Sequence, residues 1–207
     1  MTGNLILLSN HHMLFKKAQS KEDHYLELAV RGERAGLEYL VDTYQHMCYT
    51  LAVRILNNAE DAQEVVQDSF LKSFKHLGEF RRAAKFSSWL YQIVYHAALN
   101  RKAVRRPVTH PLDEQPESLM DSFAEPQSAD YRLIEADRKH FVELALNKLA
   151  EEDRVIVSLY YLADKPVAEI SGITGLGVSA VKMRLMRARK QLEQLLKTYL
   201  DKEIYEL

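Results

Sequence analysis

Apolar residues recur at spacings of three and four through most of this chain, and the points where the recurrence stops divide it into elements. Leu37, Leu40, Val41, Tyr44, Cys48, Leu51, Ala52 and Ile55 predict a helix over residues 36–56, preceded by a short one over 25–30. Asn57 and Asn58 interrupt the pattern, and Ala62, Val65, Val66, Phe70 and Phe74 resume it over 59–77. Leu90, Ile93, Val94, Ala97 and Ala98 line a fourth helix from about residue 87 to residue 104. Leu133, Ile134, Phe141, Leu144, Ala145 and Leu149 make residues 130–149 amphipathic, and a second helix follows over 151–162. No stretch alternates with a period of two, so the chain reads as all-α.

Residues 166–192 carry the most specific pattern. Pro166 suits the first turn of a helix, where its missing N–H has no partner to lose. Val167, Ile170 and Ile173 or Thr174 then mark one face of a short helix. Gly172, Gly175 and Gly177 are three of the chain's seven glycines and fall where it must turn. Ser179 is placed to cap a second helix, whose inner stripe is Val178, Val181, Leu185, Ala188 and Leu192. Lys182, Arg184, Arg187, Arg189 and Lys190 occupy the rest of that helix, with no acidic residue between Ser179 and Gln191. A short helix, a tight turn and a second helix with a basic outer face describe a helix-turn-helix.

Charge sharpens the division. Residues 22–107 carry 12 basic and 11 acidic side chains, residues 130–207 carry 13 of each, and residues 108–129 carry five acidic and none basic. Four of the five prolines fall in 107–129, which marks a linker between two helical domains. Fully extended, it reaches roughly 75 Å. The net charge of −1 is low for a protein that grips DNA unaided. The basic clusters are local, at Arg101–Arg106 and Lys182–Lys190, and a few phosphate contacts give modest affinity at physiological salt.

The remaining chemistry follows the same division. On the third helix Asp61, Glu64, Gln67 and Asp68 form a polar outer face. Phe80, Arg81, Lys85, Phe86 and Trp89 alternate rings with cations, and Ser88, Gln92, His96, Asn100, Arg101 and Arg105 continue toward the basic end of the fourth helix. Stacked bases gain roughly 1–3 kcal/mol each on such rings while cations follow the phosphates; the same rings could equally anchor a core. One cysteine, Cys48, excludes an internal disulfide and sits in an apolar stretch, and His11–His12 has no further metal ligands at useful spacing. Residues 5–8 are too short an apolar run for a membrane span or a signal core. The chain is therefore expected to be soluble and cytoplasmic, with a mobile tail over 1–21. No phosphate-binding glycine loop, HExxH or cysteine/histidine ligand cluster is present, so neither catalysis, a cofactor nor a metal is expected.

Taken in order, NAEDAQEVVQDSFLKSF (58–74), FRRAAKFSSWLYQIV (80–94), LNKLAEEDRVIVSLYYL (146–162) and the helix-turn-helix resemble a group IV, or extracytoplasmic function, sigma factor of bacterial RNA polymerase. The resemblance implies two helical domains, region 2 over 22–107 and region 4 over 130–200, with a linker over 108–129 and a C-terminal tail over 201–207. It assigns Asp61, Glu64, Gln67 and Asp68 to the clamp helices of the β′ subunit of core polymerase, with the β subunit as a further contact. The segment from Phe80 to Arg105 is assigned to the −10 promoter element, and Ser179, Ala180, Lys182, Met183, Arg184 and Arg187 to the −35 element. His96 stands where the family usually has Asn. It further implies a monomer, no membrane insertion, and an anti-sigma factor as partner. The alternative is a free-standing helix-turn-helix regulator, which would bind duplex DNA without polymerase.

Overall fold

A computed structural model of the chain describes residues 21–81, 84–104 and 139–205, with side chains up to residue 199. Residues 1–20 of the tail expected over 1–21, Arg105, the linker over 108–129 and the first nine residues of the second domain lie outside the described residues, and Lys21 already belongs to a helix. Those described are helical, without a strand among them. Four helices form the first unit: α1 (residues 21–30), α2 (Arg34–Leu56), α3 (Ala59–Lys75) and α4 (Phe86–Val104), with a 3₁₀ turn at Leu77–Glu79. The second unit holds α5 (residues 139–147), α6 (Glu151–Tyr161), α7 (Val167–Thr174) and α8 (Val178–Tyr205). The last helix runs through most of the segment expected as a tail.

Local chemistry sets the boundaries. Asn57 ends α2 in the left-handed region, φ 50°, where its N–H reaches the Val53 carbonyl at 2.8 Å. Asn58 then caps α3, its side-chain oxygen accepting from the Asp61 N–H at 2.8 Å. Gly175, with φ 75°, ends α7, a conformation that a side chain would strain. Pro166 serves as the N-cap of α7 rather than as its first residue. Ser179 does not cap α8, as the sequence suggested: the helix starts one residue earlier, and the Gly177 carbonyl accepts from the Val181 N–H at 3.0 Å. Gly177, the residue before the helix, has no side chain to cap the first N–H groups, and Ser179 falls inside the first turn and is exposed.

In the first unit α2, α3 and α4 pack on one another around Leu40, Leu51, Ile55, Ala62, Phe86, Leu90 and Val94. Cys48 is buried among them, and burial pushes its thiol well above the usual range. In the second unit α6, α7 and α8 close over Ile156, Leu159, Ile170, Ile173, Val181 and Leu185. The units are not separate: α7 lies against α4 and α6 against α2, so both sets of side chains belong to one continuous core. Helices of eight and eleven residues are marginal in isolation, and packing on α8 together with packing across the seam holds α6 and α7.

Polar side chains fix the seam between the units. Arg54, in the apolar run LAVRIL, is buried and donates to the Ser158 hydroxyl on α6 and to Glu143 on α5 at 3.0 Å. Lys165, in the loop between α6 and α7, is buried from the other side. Its ammonium donates to Ser87, lies 3.6 Å from the Glu169 carboxylate and sits 5.5 Å from the centre of the Tyr91 ring. Ser88 donates to Glu169, the Gln92 amide to the Gly172 carbonyl at 3.1 Å, and Lys102 pairs with Glu151. Burial pulls the Lys165 ammonium below the usual lysine range, and Glu169 opposes that shift.

Two measurements check this account. At Gly36 an added methyl group would stand 2.2 Å from the Ala29 nitrogen and 2.6 Å from the Tyr25 carbonyl oxygen, both backbone atoms of α1. Gly36→Ala should therefore destabilise the chain by about 1–3 kcal/mol, read as a lowered melting temperature in circular dichroism. Lys165→Glu puts a carboxylate beside Glu169 inside the seam, and breaking a buried pair costs about 3–5 kcal/mol. Small-angle X-ray scattering should show an enlarged radius of gyration while helicity is retained, because each unit keeps its own apolar core.

Candidate nucleic-acid and polymerase interfaces

Three surfaces carry the residues singled out from the sequence. On α3 the buried side is Ala62, Val65, Val66, Ser69, Phe70 and Ser73, which leaves Glu64, Gln67 and Asp68 in solvent and Asp61 half-buried. Arg101 of α4 reaches across to this face. Its Nη2 lies 3.1 Å from Asp61, its Nε 3.3 Å from the same oxygen, and it also pairs with Glu64. A residue expected on the −10 surface and two expected on the polymerase surface are thus joined into one ion-pair cluster. Gln67 and Asp68 stand clear of it.

The second surface is built on the start of α4. Phe80, Phe86 and Trp89 form a cluster, with ring centroids 5.9 Å apart for Phe80–Phe86, 5.2 Å for Phe80–Trp89 and 5.8 Å for Phe86–Trp89. Phe86 is only 2% exposed and also packs on Tyr44 at 5.6 Å, so it anchors the core and does not present a face to solvent. Phe80 and Trp89 are half-buried, and Arg81 and Lys85 are exposed beside them. Gln92, His96 and Asn100 follow Trp89 at spacings of three, four and four and are exposed on the same side of α4. Ser88 is not free: it is buried beneath α7 and bonded to Glu169. Gln92 is also engaged by α7, through the Gly172 carbonyl. Part of the expected −10 surface is therefore covered by the helix-turn-helix unit.

The third surface is the outer face of α8. Val181, Leu185 and Ala188 are buried, and Ser179, Ala180, Lys182, Met183, Met186, Arg187 and Lys190 are exposed. Two of the arginines do not join that face. Arg184 turns sideways onto the first turn of α6, where its Nη1 lies 2.8 Å from Asp153 and its Nη2 pairs with Glu152. The hydrogen bond to Asp153 raises the Arg184 guanidinium above its usual range. Arg189 lies over Tyr160 and Tyr161, 5.1 and 5.5 Å from the ring centres.

Sequence reasoning missed the seam residues Arg54, Ser87, Lys165, Glu169 and Gly172. A cation inside the apolar run LAVRIL was a signal for Arg54; Lys165 lies in a loop with no period to reveal its burial. Among the described residues no group of three or more histidine, cysteine, aspartate or glutamate side chains could hold a metal ion. No described helix is long and apolar enough to cross a membrane.

These surfaces coincide with known family regions. Sigma-70 region 2 matches residues 40–107, and Sigma-70, region 4 matches residues 142–192. The RNA polymerase sigma-H factor of Pseudomonas aeruginosa is 26% identical over 187 residues, covering 88% of this chain and 97% of that protein. The ECF RNA polymerase sigma factor SigW of Bacillus subtilis is 24% identical over 176 residues, covering 81% of this chain and 92% of that protein. The ECF RNA polymerase sigma-E factor of Escherichia coli K12 is 27% identical over 173 residues, covering 81% and 90%. In fold the chain is similar to CnrH, solved in complex with the cytosolic domain of CnrY, with a TM-score of 0.57 and 23% identity over 84% of this chain and 96% of that one. It is similar also to the sigma factor RpoE solved with the anti-sigma factor NepR from Bartonella quintana, with a TM-score of 0.52 and 18% identity over 77% and 97%. With regions 2 and 4 both matched in order, on two all-helical units that carry the acidic, aromatic-basic and helix-turn-helix surfaces described above, this chain belongs to the sigma-70 family as an ECF-type sigma factor.

Proposed function

We propose that the chain binds core RNA polymerase through the outer face of α3 and directs it to promoters, reading −10 DNA with the start of α4 and −35 DNA with α8. The observation that carries this reading is the presence, in one chain, of a single-strand type of surface on one unit and a duplex-reading helix on the other. Phe80 and Trp89 lie beside Arg81 and Lys85 in the first unit, and the cationic outer face of α8 lies in the second. A promoter offers both substrates, a melted segment and a duplex segment, whereas the operator of a free-standing regulator offers only duplex. The net charge of −1 favours the same division of labour, because core polymerase then supplies much of the DNA affinity.

The protein contributes recognition and no chemical step of its own, acts as a single copy within the polymerase, and works in the cytoplasm. In the closed arrangement α7 occupies Ser88 and Gln92, so engaging melted DNA along α4 requires the units to part. An anti-sigma partner that grips both units would hold them together. Two fold neighbours were solved as complexes, RpoE with an anti-sigma factor and CnrH with the cytosolic domain of CnrY, which supports that partner class.

Run-off transcription from a genomic fragment pool tests the proposal, with core alone, this protein alone, and both. Transcripts sharing −35 and −10 elements should appear only with both; footprints on duplex DNA by the protein alone, with no polymerase-dependent initiation, would favour the regulator. Asp68→Arg is the cleanest polymerase-side variant, because Asp68 is exposed and outside the Arg101 cluster. It should cut run-off product at least tenfold while leaving the melting temperature unchanged. Reversal at Asp61 or Glu64 should also lower activity, but accompanied by a lower melting temperature, because it breaks the ion pairs between α3 and α4.

A further inference from the structure

The outer face of α8 is not uniformly cationic. Residues advance by about 100° around a helix, which places Met183 half a turn from the buried Val181 and near the centre of the outward side. Met183 is 52% exposed, with Ala180 exposed one turn before it and Met186 exposed beyond it. Lys182, Arg187 and Lys190 flank this apolar strip and form no ion pair among the described residues. Arg184, one of two arginines expected at the −35 element, already directs its guanidinium nitrogens at Asp153 and Glu152. Turning it toward DNA would leave two α6 carboxylates, one of them mostly buried, without their cation.

Resting on the promoter-reading role proposed for α8, we infer that Met183 is a specificity-determining residue that reads the C5-methyl of a thymine in the major groove of the −35 element, and that Arg184 positions the helix without touching a base. The chemistry follows from what each base edge offers. In the major groove thymine is marked by a methyl group, which an apolar side chain recognises by excluding water from both. A thioether on an unbranched stem can follow such a methyl group without strict geometry. The flanking Lys182 and Arg187 supply the positive charge that draws phosphates to either side, and the absence of acidic residues from Ser179 to Gln191 leaves the face complementary to a duplex and not to a basic partner. Ala180, one turn earlier, is small enough to let the helix approach the base edges.

The test uses holoenzyme on a promoter library randomised through the −35 element, comparing the wild-type chain with Met183→Ala and Arg184→Ala in run-off selection. Wild type should enrich thymine at one or two adjacent positions, and Met183→Ala should lose that enrichment while keeping the rest of the selected element. On the selected promoter, replacing that thymine by deoxyuridine removes only the methyl group and should lower open-complex formation about fourfold for wild type, but leave Met183→Ala unaffected. Arg184→Ala should lower the melting temperature and overall activity yet select the same bases. The inference is overturned if deoxyuridine has no effect at any −35 position, if its effect persists in Met183→Ala, or if Arg184→Ala changes a base preference. Absence of polymerase-dependent transcript from every chain would overturn the sigma reading itself, which the wild-type arm reports separately.

Discussion

Two buried cations hold this molecule in the shape it has. Arg54 enters the seam from the first unit and finds Ser158 and Glu143 across it, and Lys165 enters from the second and finds Ser87 across it, with Glu169 on its own side. A charge taken out of water is costly unless it is paired and hydrogen-bonded. Arg54 depends on Ser158 and Glu143, Lys165 on Ser87 and, more distantly, Glu169, so neither is well satisfied unless the units stay together. The apolar contact of α7 with α4 supplies the attraction, and the two cations restrict how the surfaces can register. Ion pairs of this kind are weak sources of net stability but strong determinants of geometry.

That geometry ties the three candidate surfaces to one another. α4 is the common member: its first two turns carry Trp89 and bond to α7 through Ser88 and Gln92, and its end sends Arg101 to Asp61 and Glu64 on α3. Opening the seam frees Ser88, Gln92 and Lys102 together, since all three are bonded to the second unit. A partner that changes the charge around Asp61 and Glu64 also changes the surroundings of Arg101, and thus the basic end of α4. The face of α3 proposed for polymerase and the face of α4 proposed for promoter DNA are linked by side chains that touch, with no long pathway needed.

On α8 the same economy separates holding from reading. Arg184 and Arg189 are spent inside the unit, on the α6 carboxylates and on Tyr160 and Tyr161, and they fix the angle at which the helix stands. Lys182, Met183 and Arg187 are left exposed on the face proposed to meet a duplex. Five basic residues in a nine-residue stretch thus divide into two that build the domain and three that face outward.

Much of this was legible in the chain itself, because helical spacing is local. The stripe from Leu37 to Ile55, the Asn57–Asn58 break and the glycines before α8 each reflect energies of neighbouring residues, and they yielded the helices and the helix-turn-helix. The exposed placement of Gln67, Asp68, His96 and Asn100 also followed from spacing, since a residue opposite a buried stripe must face out. What periodicity could not supply was the partner of a polar side chain. Arg184 and Arg187 look alike in the sequence, and only the approach of α6 separates the one that meets Asp153 from the one that meets solvent. Phe86 reads as a possible stacking ring until Tyr44 and Trp89 close around it. Lys165, beside a proline in a loop, carries no sign of burial, and its place was decided by how α7 docks on α4, where the seam must be filled and every charge within it paired.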